Sequence, residues 1–168
     1  RTHGRDWTSQ GFWAVFWHRF GNWRMSLPKV LRAPATVAYR AMFKACQILG
    51  GIELPYSVPI GRRVKIEHFG GIVISARALG NDVVLRQNTT LGVARMSDLG
   101  GRPTIGNGVD VGVGAVILGE VVVGDGAVIG ANAVVLRDVP PGALAVGVPA
   151  RLVRAGTGAQ VAGRIHRP

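Results

Sequence analysis

The chain has 168 residues, 48% of them hydrophobic, which is enough to fill the core of one domain with a small appendage. It carries 20 Lys and Arg against 9 Asp and Glu, a formal net charge of +11, and a single cysteine, Cys46. One cysteine excludes an internal disulfide and a cysteine-based zinc cage, and it favours a reducing compartment. The positive balance allows an anionic lipid, a phosphorylated small molecule or nucleic acid as partner.

The first 51 residues predict a short helical segment that precedes the main domain. The stretch QGFWAVFWHRFGNWR (10–24) spaces its aromatic residues by one, three and four positions, which is typical of an amphipathic helix interrupted or ended near Gly21. Pro28 and Pro34 predict a linker, and a second helix is predicted from about 34 to 49, with Gly50-Gly51 after its end. The aromatic stripe has two interpretations. It packs on the second helix, the open end of the main domain or a sister chain, or it docks on an anionic membrane.

No segment predicts a membrane span or a secretory signal. No apolar run reaches the length of a transmembrane helix. The aromatic stretch near the start is broken by charged residues, which is not typical of a signal peptide. We therefore expect a cytoplasmic protein, with peripheral contact at the inner face of the membrane as the alternative.

Residues 52–153 carry a repeat of six residues. From Ile105 to Val135 every sixth residue is a branched aliphatic, and four positions after each of them lies a small apolar residue. A period of six fits neither a helix nor a flat strand. It predicts a chain that makes a short strand, turns a corner and repeats, with one inward side chain per side. Three sides make one coil, and coils stack in parallel as a solenoid.

The repeat is interrupted twice. It keeps phase through Ile66, slips by one residue at 68–71 and resumes at Val73. Later, the segment GVARMSDLGGRPT (92–104) breaks the phase and predicts a loop that leaves one corner. Loops on rigid scaffolds commonly hold ligands, so this loop is a candidate binding element.

The predicted organisation is a mainly β chain, with the helical segment 1–51, a parallel β-helix over 52–153 and a basic tail. Val139-Pro140-Pro141 predicts the close of the last coil, and the tail 154–168, which has no repeat, is expected to be disordered. Only His68 of the four histidines lies in the solenoid. A zinc site needs about three His or carboxylate ligands, so no metal is expected.

The motifs around His68 and after the loop resemble one family. His68 lies in EHFGGIV, TLG precedes the loop, PTIGNGVDVGVGAVILG follows it, and the repeats end in GVPARLV. Over about 100 residues this resembles the serine acetyltransferase branch of the hexapeptide-repeat acyltransferases. The aromatic N-terminus resembles relatives found with bacterial polysaccharide biosynthesis genes. The resemblance implies a left-handed β-helix, a homotrimer, and acetyl-CoA bound in the groove between neighbouring subunits.

The resemblance also implies roles for individual residues. By position, His68 matches the general base that removes the acceptor's hydroxyl proton, Glu53 the carboxylate that orients it, and Glu67 the carboxylate that helps to hold the acceptor's amine. An imidazole titrates close to neutral pH, so it can accept such a proton there. The pantetheine arm of acetyl-CoA maps to Gly92, Val93, Val113 and Ala131. On charge alone, its phosphates are expected at Arg95, Arg137 and Arg151.

The acceptor is left open by a departure at residues 101–102. Where the family has an Arg-His pair that holds the serine carboxylate, this chain has Gly101-Arg102. Arg102 can still bind a carboxylate through two N–H donors, so L-serine and a saccharide hydroxyl both remain candidate acceptors. The alternative function is a non-catalytic trimeric scaffold that binds membrane or a partner through the basic aromatic N-terminus. Neither interpretation involves nucleic acid.

Overall fold

The structure is a computed structural model that describes residues 7–153. The expectations for residues 1–6 and for the tail 154–168 lie outside the described residues. Two helices precede a succession of short strands: α1 (Gln10–Trp23), α2 (Lys29–Gly50), β1 (Ile52–Glu53), β2 (Lys65–Glu67), β3 (Ile72–Ile74), β4 (Ala78–Leu79), β5 (Val84–Arg86), β6 (Thr90–Gly92), β7 (Thr104–Ile105), β8 (Asp110–Val111), β9 (Val116–Leu118), β10 (Val122–Val123), β11 (Val128–Ile129), β12 (Val134–Val135), β13 (Leu144–Val146) and β14 (Arg151–Val153).

The strands stack into three sheets that form the faces of a prism. Sheet 1 has the order β1-β3-β6-β9-β12, sheet 2 the order β4-β7-β10, and sheet 3 the order β2-β5-β8-β11-β13-β14. From β3 to β12 the chain visits sheets 1, 2 and 3 in turn, so each coil adds one strand to each face; in the first and last coils sheet 2 is extended only by isolated bridges at Ile60 and Val139. Neighbouring coils pair in parallel, while β14 returns antiparallel to β13. The predicted parallel β-helix with a helical appendage is confirmed.

The core is a stack of branched aliphatic side chains inside the prism. Leu91, Ile117 and Val135 lie directly above one another in sheet 1, and each is at most 1% exposed. Burying such a side chain contributes roughly 1.5–3 kcal/mol, so most of these strands of two or three residues are held mainly by one inward residue. At the corners the coils approach too closely for larger side chains. A Cβ at Gly80 would lie 2.6 Å from the backbone of Gly106 in the next coil.

The predicted phase at Val73 is wrong. Val73 is exposed, whereas Ile72 and Ile74 on either side of it are buried, and Ile74 pairs with Leu91. From Ile66 the chain takes eight positions instead of six to the residue that aligns with Leu91, and five from there to Leu79. The one-residue slip is therefore the net result of two extra residues between Ile66 and Ile74 and one residue fewer between Ile74 and Leu79. Residues 73 and 74 are both branched aliphatics, so the six-residue spacing alone assigned the inward position to the wrong one of the two.

Three other boundaries also differ from the predicted ones. The second helix begins at Lys29, so Pro34 lies inside it and the segment between the helices is shorter than expected. Strand β13 follows the two prolines at 140–141, so the last coil does not close there. The loop covers 93–103, because Gly92 and Thr104 lie in strands. At this position Pro34 removes one backbone N–H donor and crowds the carbonyl four residues earlier, and the packing of α2 on α1 offsets this cost.

One side of α1 covers the open end of the first coil. His18 Nε2 lies 2.8 Å from the carbonyl oxygen of Val58, and Arg19 Nη1 donates to the carbonyl of Ile60 at 3.1 Å. Because a carbonyl only accepts, Nε2 of His18 carries the proton. Burial lowers the pKa of His18 and so favours the neutral imidazole. These bonds satisfy carbonyl groups of the first coil.

Arg24 joins the two helices to the β-helix. Its guanidinium lies 4.6 Å from the ring centre of Tyr39 and 4.4 Å from that of Tyr56, and the residue is only 5% exposed. Helix α1 continues through Gly21, where a Cβ would lie 2.6 Å from the Tyr39 ring. This close packing, and not a helix break, accounts for the glycine.

The aromatic stripe is only partly packed. Trp17 and Phe20 are half-buried, whereas Trp13, Phe16 and Trp23 are exposed. Over residues 7–153, neither helix is long and apolar enough to cross a membrane. The helix pair therefore has an inner side bound to the first coil and an outer side that remains partly apolar.

The inward stack predicts a large penalty for truncation at its centre. Replacing Ile117, which is fully buried, by Ala should lower the free energy of unfolding by about 2–5 kcal/mol, because a cavity remains between two coils. The matched control is Val122→Ala, on the outward side of the next strand, with an expected change of about 0.5 kcal/mol or less. Urea unfolding at one fixed protein concentration measures both. Equal losses in the two variants would contradict the stacked core.

Candidate active site

His68 lies in a turn whose flanking inward residues, Ile66 and Ile74, are eight positions apart, two more than their aligned partners Leu85 and Leu91 in the next coil. The turn 68–71 joins sheet 3 to sheet 1, and its backbone is left-handed at His68 (φ 64°), Gly70 and Gly71. Asn88 and Asn132, in later turns on the same edge, share this conformation (φ 58° and 56°), so it is a feature of the corners of this repeat, and His68 occupies one of them. Gly70 donates to the carbonyl of Gly50 at 2.9 Å, and its own carbonyl accepts from Asn88 at 2.9 Å. The turn is therefore hydrogen-bonded on both sides and presents an exposed His68.

Two of the predicted acetyl-CoA residues lie on the same edge of the prism as His68. We call the turns between sheets 3 and 1 (residues 68–71, 87–89, 112–115 and 130–133) the His68 edge. Along it, Gly114 donates to the carbonyl of Gln87 at 3.0 Å, and Asn132 donates to that of Val113 at 2.8 Å. Val113 and Ala131 thus lie on this edge in the coils above His68. A ligand running along the edge could reach both residues and the histidine.

The remaining loop residues lie on a different edge. Gly92, Val93, Arg95 and Arg102 belong to the turn between sheets 1 and 2, which we call the loop edge (93–103 with Gly92 at its start). Arg102 donates from Nε to the carbonyl of Leu99 within its own loop, at 3.2 Å. All of sheet 1 separates the loop edge from the His68 edge, so one chain does not bring Arg102 to His68. The two edges meet only if a second chain presents its loop edge.

Glu53 points outward from β1, where it pairs with Val73 of the next coil. Its strand lies beside the turn of His68, because Gly51, two residues before it, accepts a backbone hydrogen bond from Ile72 at 2.9 Å. Over residues 7–153 the structure has no hydrogen bond between the Glu53 carboxylate and the His68 imidazole. The orienting role of Glu53 stays a prediction.

Glu67 belongs to an alternating series of charges that the sequence analysis missed. We call Lys65, Glu67, Arg86 and Asp110 the charge ladder. Lys65 Nζ lies 2.6 Å from Glu67 Oε1, Arg86 Nε lies 3.4 Å from Glu67 Oε2, and Arg86 also pairs with Asp110. The hydrogen bond from Lys65 is the largest cause that lowers the pKa of Glu67, and Asp110 raises the pKa of Arg86.

The sequence alone indicates the charge ladder only when the pairing register of the coils is known. Lys65 and Glu67 alternate on one strand, so both point outward, and Glu67 pairs directly with Arg86 in the next coil. Asp110 lies in the coil after that, beside Val84. The partners are therefore far apart in sequence and adjacent only through coil stacking.

The C-terminal coil carries a cavity of about 350 Å³ that includes Arg137, Asp138 and Arg151 in its lining. Two of the three arginines predicted to meet phosphates thus share one concave surface, while Arg95 lies on the loop edge. A second cavity of about 340 Å³ lies between the helices and is lined by apolar side chains such as Trp17 and Met42. Within the described part of the chain, no group of three or more His, Cys, Asp or Glu side chains could hold a metal ion.

Comparison with known proteins identifies the family. A family profile described as bacterial transferase hexapeptide (six repeats) matches residues 102–137. The serine acetyltransferase of Mycobacterium tuberculosis is 38% identical over 146 residues, which cover 85% of this chain and 60% of that protein. The "Putative colanic acid biosynthesis acetyltransferase WcaB" of Escherichia coli is 37% identical over 133 residues, which cover 77% of this chain and 80% of that protein.

Solved structures agree with this result. Soybean serine acetyltransferase complexed with serine has a TM-score of 0.72 at 34% identity, covering 89% of this chain and 64% of its own. The serine acetyltransferase of Brucella abortus in complex with coenzyme A has a TM-score of 0.73 at 26% identity, and the match covers 89% of this chain and 62% of that structure's chain. The chain belongs to the hexapeptide-repeat acetyltransferases, and its fold is their left-handed parallel β-helix. It spans 60% and 51% of the length of the M. tuberculosis and E. coli serine acetyltransferases it matches.

Proposed function

We propose that this chain transfers the acetyl group of acetyl-CoA to a hydroxyl group, with His68 as the general base. The imidazole takes the proton of the acceptor hydroxyl, and the freed oxygen forms a bond to the thioester carbonyl carbon. The carbon–sulfur bond then breaks, and the departing thiolate takes the proton back from the imidazolium. The products are an acetyl ester and free CoA, so atoms and charge balance without a metal or an oxidant.

The observation that carries this proposal is the presentation of His68. An exposed imidazole on a turn that is hydrogen-bonded to the coils on both sides has a fixed position from which to meet a hydroxyl group. The family relationship supports the same reaction class, since the relatives are named acetyltransferases. The exposure of His68 at this turn favours the enzyme over a scaffold without catalysis.

Acetyl-CoA is the proposed co-substrate, and it would lie along the His68 edge. In this arrangement the pantetheine arm passes the backbone at Val113 and Ala131, and Gly92 and Val93 come from the loop edge of a neighbouring subunit. Arg151 and Arg137 on the C-terminal cavity, together with Arg95, would meet the phosphates. The related Brucella abortus structure, which contains coenzyme A, supports the choice of co-substrate.

The proposed acceptor is a hydroxyl of a saccharide or of L-serine, which both kinds of relative support. Glu67, beside His68, is the proposed contact for the acceptor, and Arg102 is the second. In the proposed assembly Glu53 orients the imidazole after a rearrangement of its side chain. Backbone N–H groups of the facing subunit would stabilise the negative charge on the carbonyl oxygen.

We further propose that the active protein is a homotrimer, because Arg102 and His68 lie on different edges of one chain. Light scattering should give about three times the mass of the 17.7 kDa chain at micromolar concentration. A stable monomer under these conditions would contradict both the trimer and the shared site.

The role of His68 can be tested by two substitutions. His68→Ala should slow release of CoA from acetyl-CoA in the presence of acceptor by about 10²-fold or more, with little change in acetyl-CoA affinity. His68→Asn should have the same effect, and it separates loss of the base from strain, because Asn tolerates a positive φ well. The matched control, Arg62→Gln on another edge, should keep full activity. Near-normal turnover in both His68 variants would show that His68 is structural.

We also propose that the outer side of the helix pair contacts an anionic membrane from the cytoplasmic side. On α2, Val30, Val37 and Ile48 are between 69% and 83% exposed and follow helical spacing, with Lys44 on the same side and Arg40 beside it. This combination of exposed apolar and basic side chains is typical of helices that lie on a bilayer surface.

Sedimentation with vesicles tests this contact. Binding to phosphatidylglycerol-containing vesicles should exceed binding to pure phosphatidylcholine vesicles by about tenfold or more, since each surface cation contributes roughly 1 kcal/mol. The double variant Val37→Ser, Ile48→Ser should lose most of this binding. Val122→Ser, an exposed position on β10, is the control. The proposal would be contradicted if the same fraction of protein sedimented with both vesicle types, or if the double variant bound anionic vesicles as well as the unmodified chain does.

A further inference from the structure

The charge ladder ends at the residue before His68. Lys65 and Glu67 point outward from β2, and Arg86 and Asp110 continue the column on the next two coils of sheet 3. All four side chains are partly exposed, between 30% and 44%. Because Glu67 directly precedes the turn of His68 and Arg86 lies beside it in the next coil, the ladder borders the His68 edge on the side of sheet 3. An acceptor with its hydroxyl at His68 is therefore within reach of this border.

Both oxygens of Glu67 already have a cationic neighbour. Lys65 lies 2.6 Å from one oxygen and Arg86 lies 3.4 Å from the other. Asp110 balances the second cation, so the ladder carries two positive and two negative charges. Its net charge is zero, and no carboxylate in it is left without a cation.

An amino acid acceptor would need the opposite arrangement. Serine carries an ammonium group on the carbon next to the one that bears its hydroxyl, so the ammonium must find a carboxylate near the base. Here an ammonium that approached Glu67 would also approach the cationic groups of Lys65 and Arg86, which contact the same carboxylate. Like charges within a few ångströms of one another repel. His68 becomes positively charged when it takes the proton, which adds a third cation at the moment of reaction.

Hydroxyl groups meet no such obstacle. An ionised carboxylate has about four lone-pair positions, and the two cations occupy only part of this capacity. Glu67 can therefore still accept hydrogen bonds from O–H groups, and Lys65 and Arg86 can donate to oxygen atoms. A surface with fixed donors and acceptors and no net charge suits an acceptor with many hydroxyl groups.

We propose that the acceptor is a saccharide hydroxyl and that the charge ladder excludes acceptors with an ammonium group beside the reacting hydroxyl. This inference rests on the proposed acetyltransferase function, since it assigns the acceptor of that reaction. It makes Lys65 and Arg86 the specificity-determining residues, because they neutralise Glu67.

The sharpest test compares L-serine with L-glycerate, which has a hydroxyl in place of the ammonium and is otherwise the same. CoA release should give a kcat/KM at least about tenfold higher for glycerate than for serine. Methyl glycosides of neutral hexoses and of uronic acids form the saccharide panel, and at least one of them should also exceed serine. A kcat/KM for serine above that of glycerate and of every glycoside would overturn the inference.

Variants test the ladder itself. Lys65→Met with Arg86→Leu frees Glu67, so the ratio of kcat/KM for serine to that for glycerate should rise about tenfold or more. Lys65→Met alone should give a smaller rise, and it leaves the pair of Arg86 and Asp110 intact. The control is Arg63→Met, which breaks the exposed ion pair with Asp82 on another edge and should not change the ratio. An unchanged ratio in the folded double variant would overturn the inference.

A separate measurement distinguishes failure of this inference from failure of the proposed function. If no acceptor gives His68-dependent release of CoA, the acetyltransferase proposal is wrong. Titration calorimetry on the CoA-saturated protein then still compares serine with glycerate. Tighter binding of glycerate, reversed or levelled by the double variant, would support the exclusion of ammonium, and tighter binding of serine would overturn it.

Discussion

The whole molecule depends on one constraint, the direct stacking of each coil on the one before it. A strand of two or three residues has too few hydrogen bonds and too little buried surface to be stable alone. It is held because its inward residue rests on the inward residue of the next coil, as Ile117 rests on Leu91. Every strand therefore depends on the register of its neighbours, and the small residues at the corners preserve that register.

The turn at His68 shows what the same constraint permits. The two extra residues leave the coil only where the backbone can return to the same register, and Ile74 restores it at Leu91. The core is undisturbed while the histidine is exposed. The loop 93–103 is a longer insertion of the same kind, located at the edge between sheets 1 and 2. The chain thus confines its irregular segments to corners, and the candidate functional residues lie on these corners or on the outward faces beside them.

The period of six was enough to predict the β-helix, because inward residues are dictated by stacking and leave a regular trace. Val73 and Ile74 could not be separated, since both fit an inward position and only the pairing with Leu91 decides. The start of α2 was placed too late because Pro34 was taken as a boundary, whereas the packing of the helix overrides the local preference.

The resemblance named residues of the candidate site, but it could not show that Arg102 and His68 occupy different edges. The charge ladder escaped notice because its members are adjacent only after the coils are stacked.

The contacts of α1 with the first coil have a consequence for what the chain does in the presence of other copies. A stack of parallel strands has an open row of backbone groups at each end, and such a row is a template to which a strand of another molecule can add. His18 and Arg19 occupy the carbonyl groups of Val58 and Ile60 at one end. At the other end the last strand of sheet 3, β14, is antiparallel to β13, so a further coil cannot continue the parallel pairing of that sheet. Both features oppose the addition of a coil from another chain, and so they work against the growth of this repeat from chain to chain into a fibre.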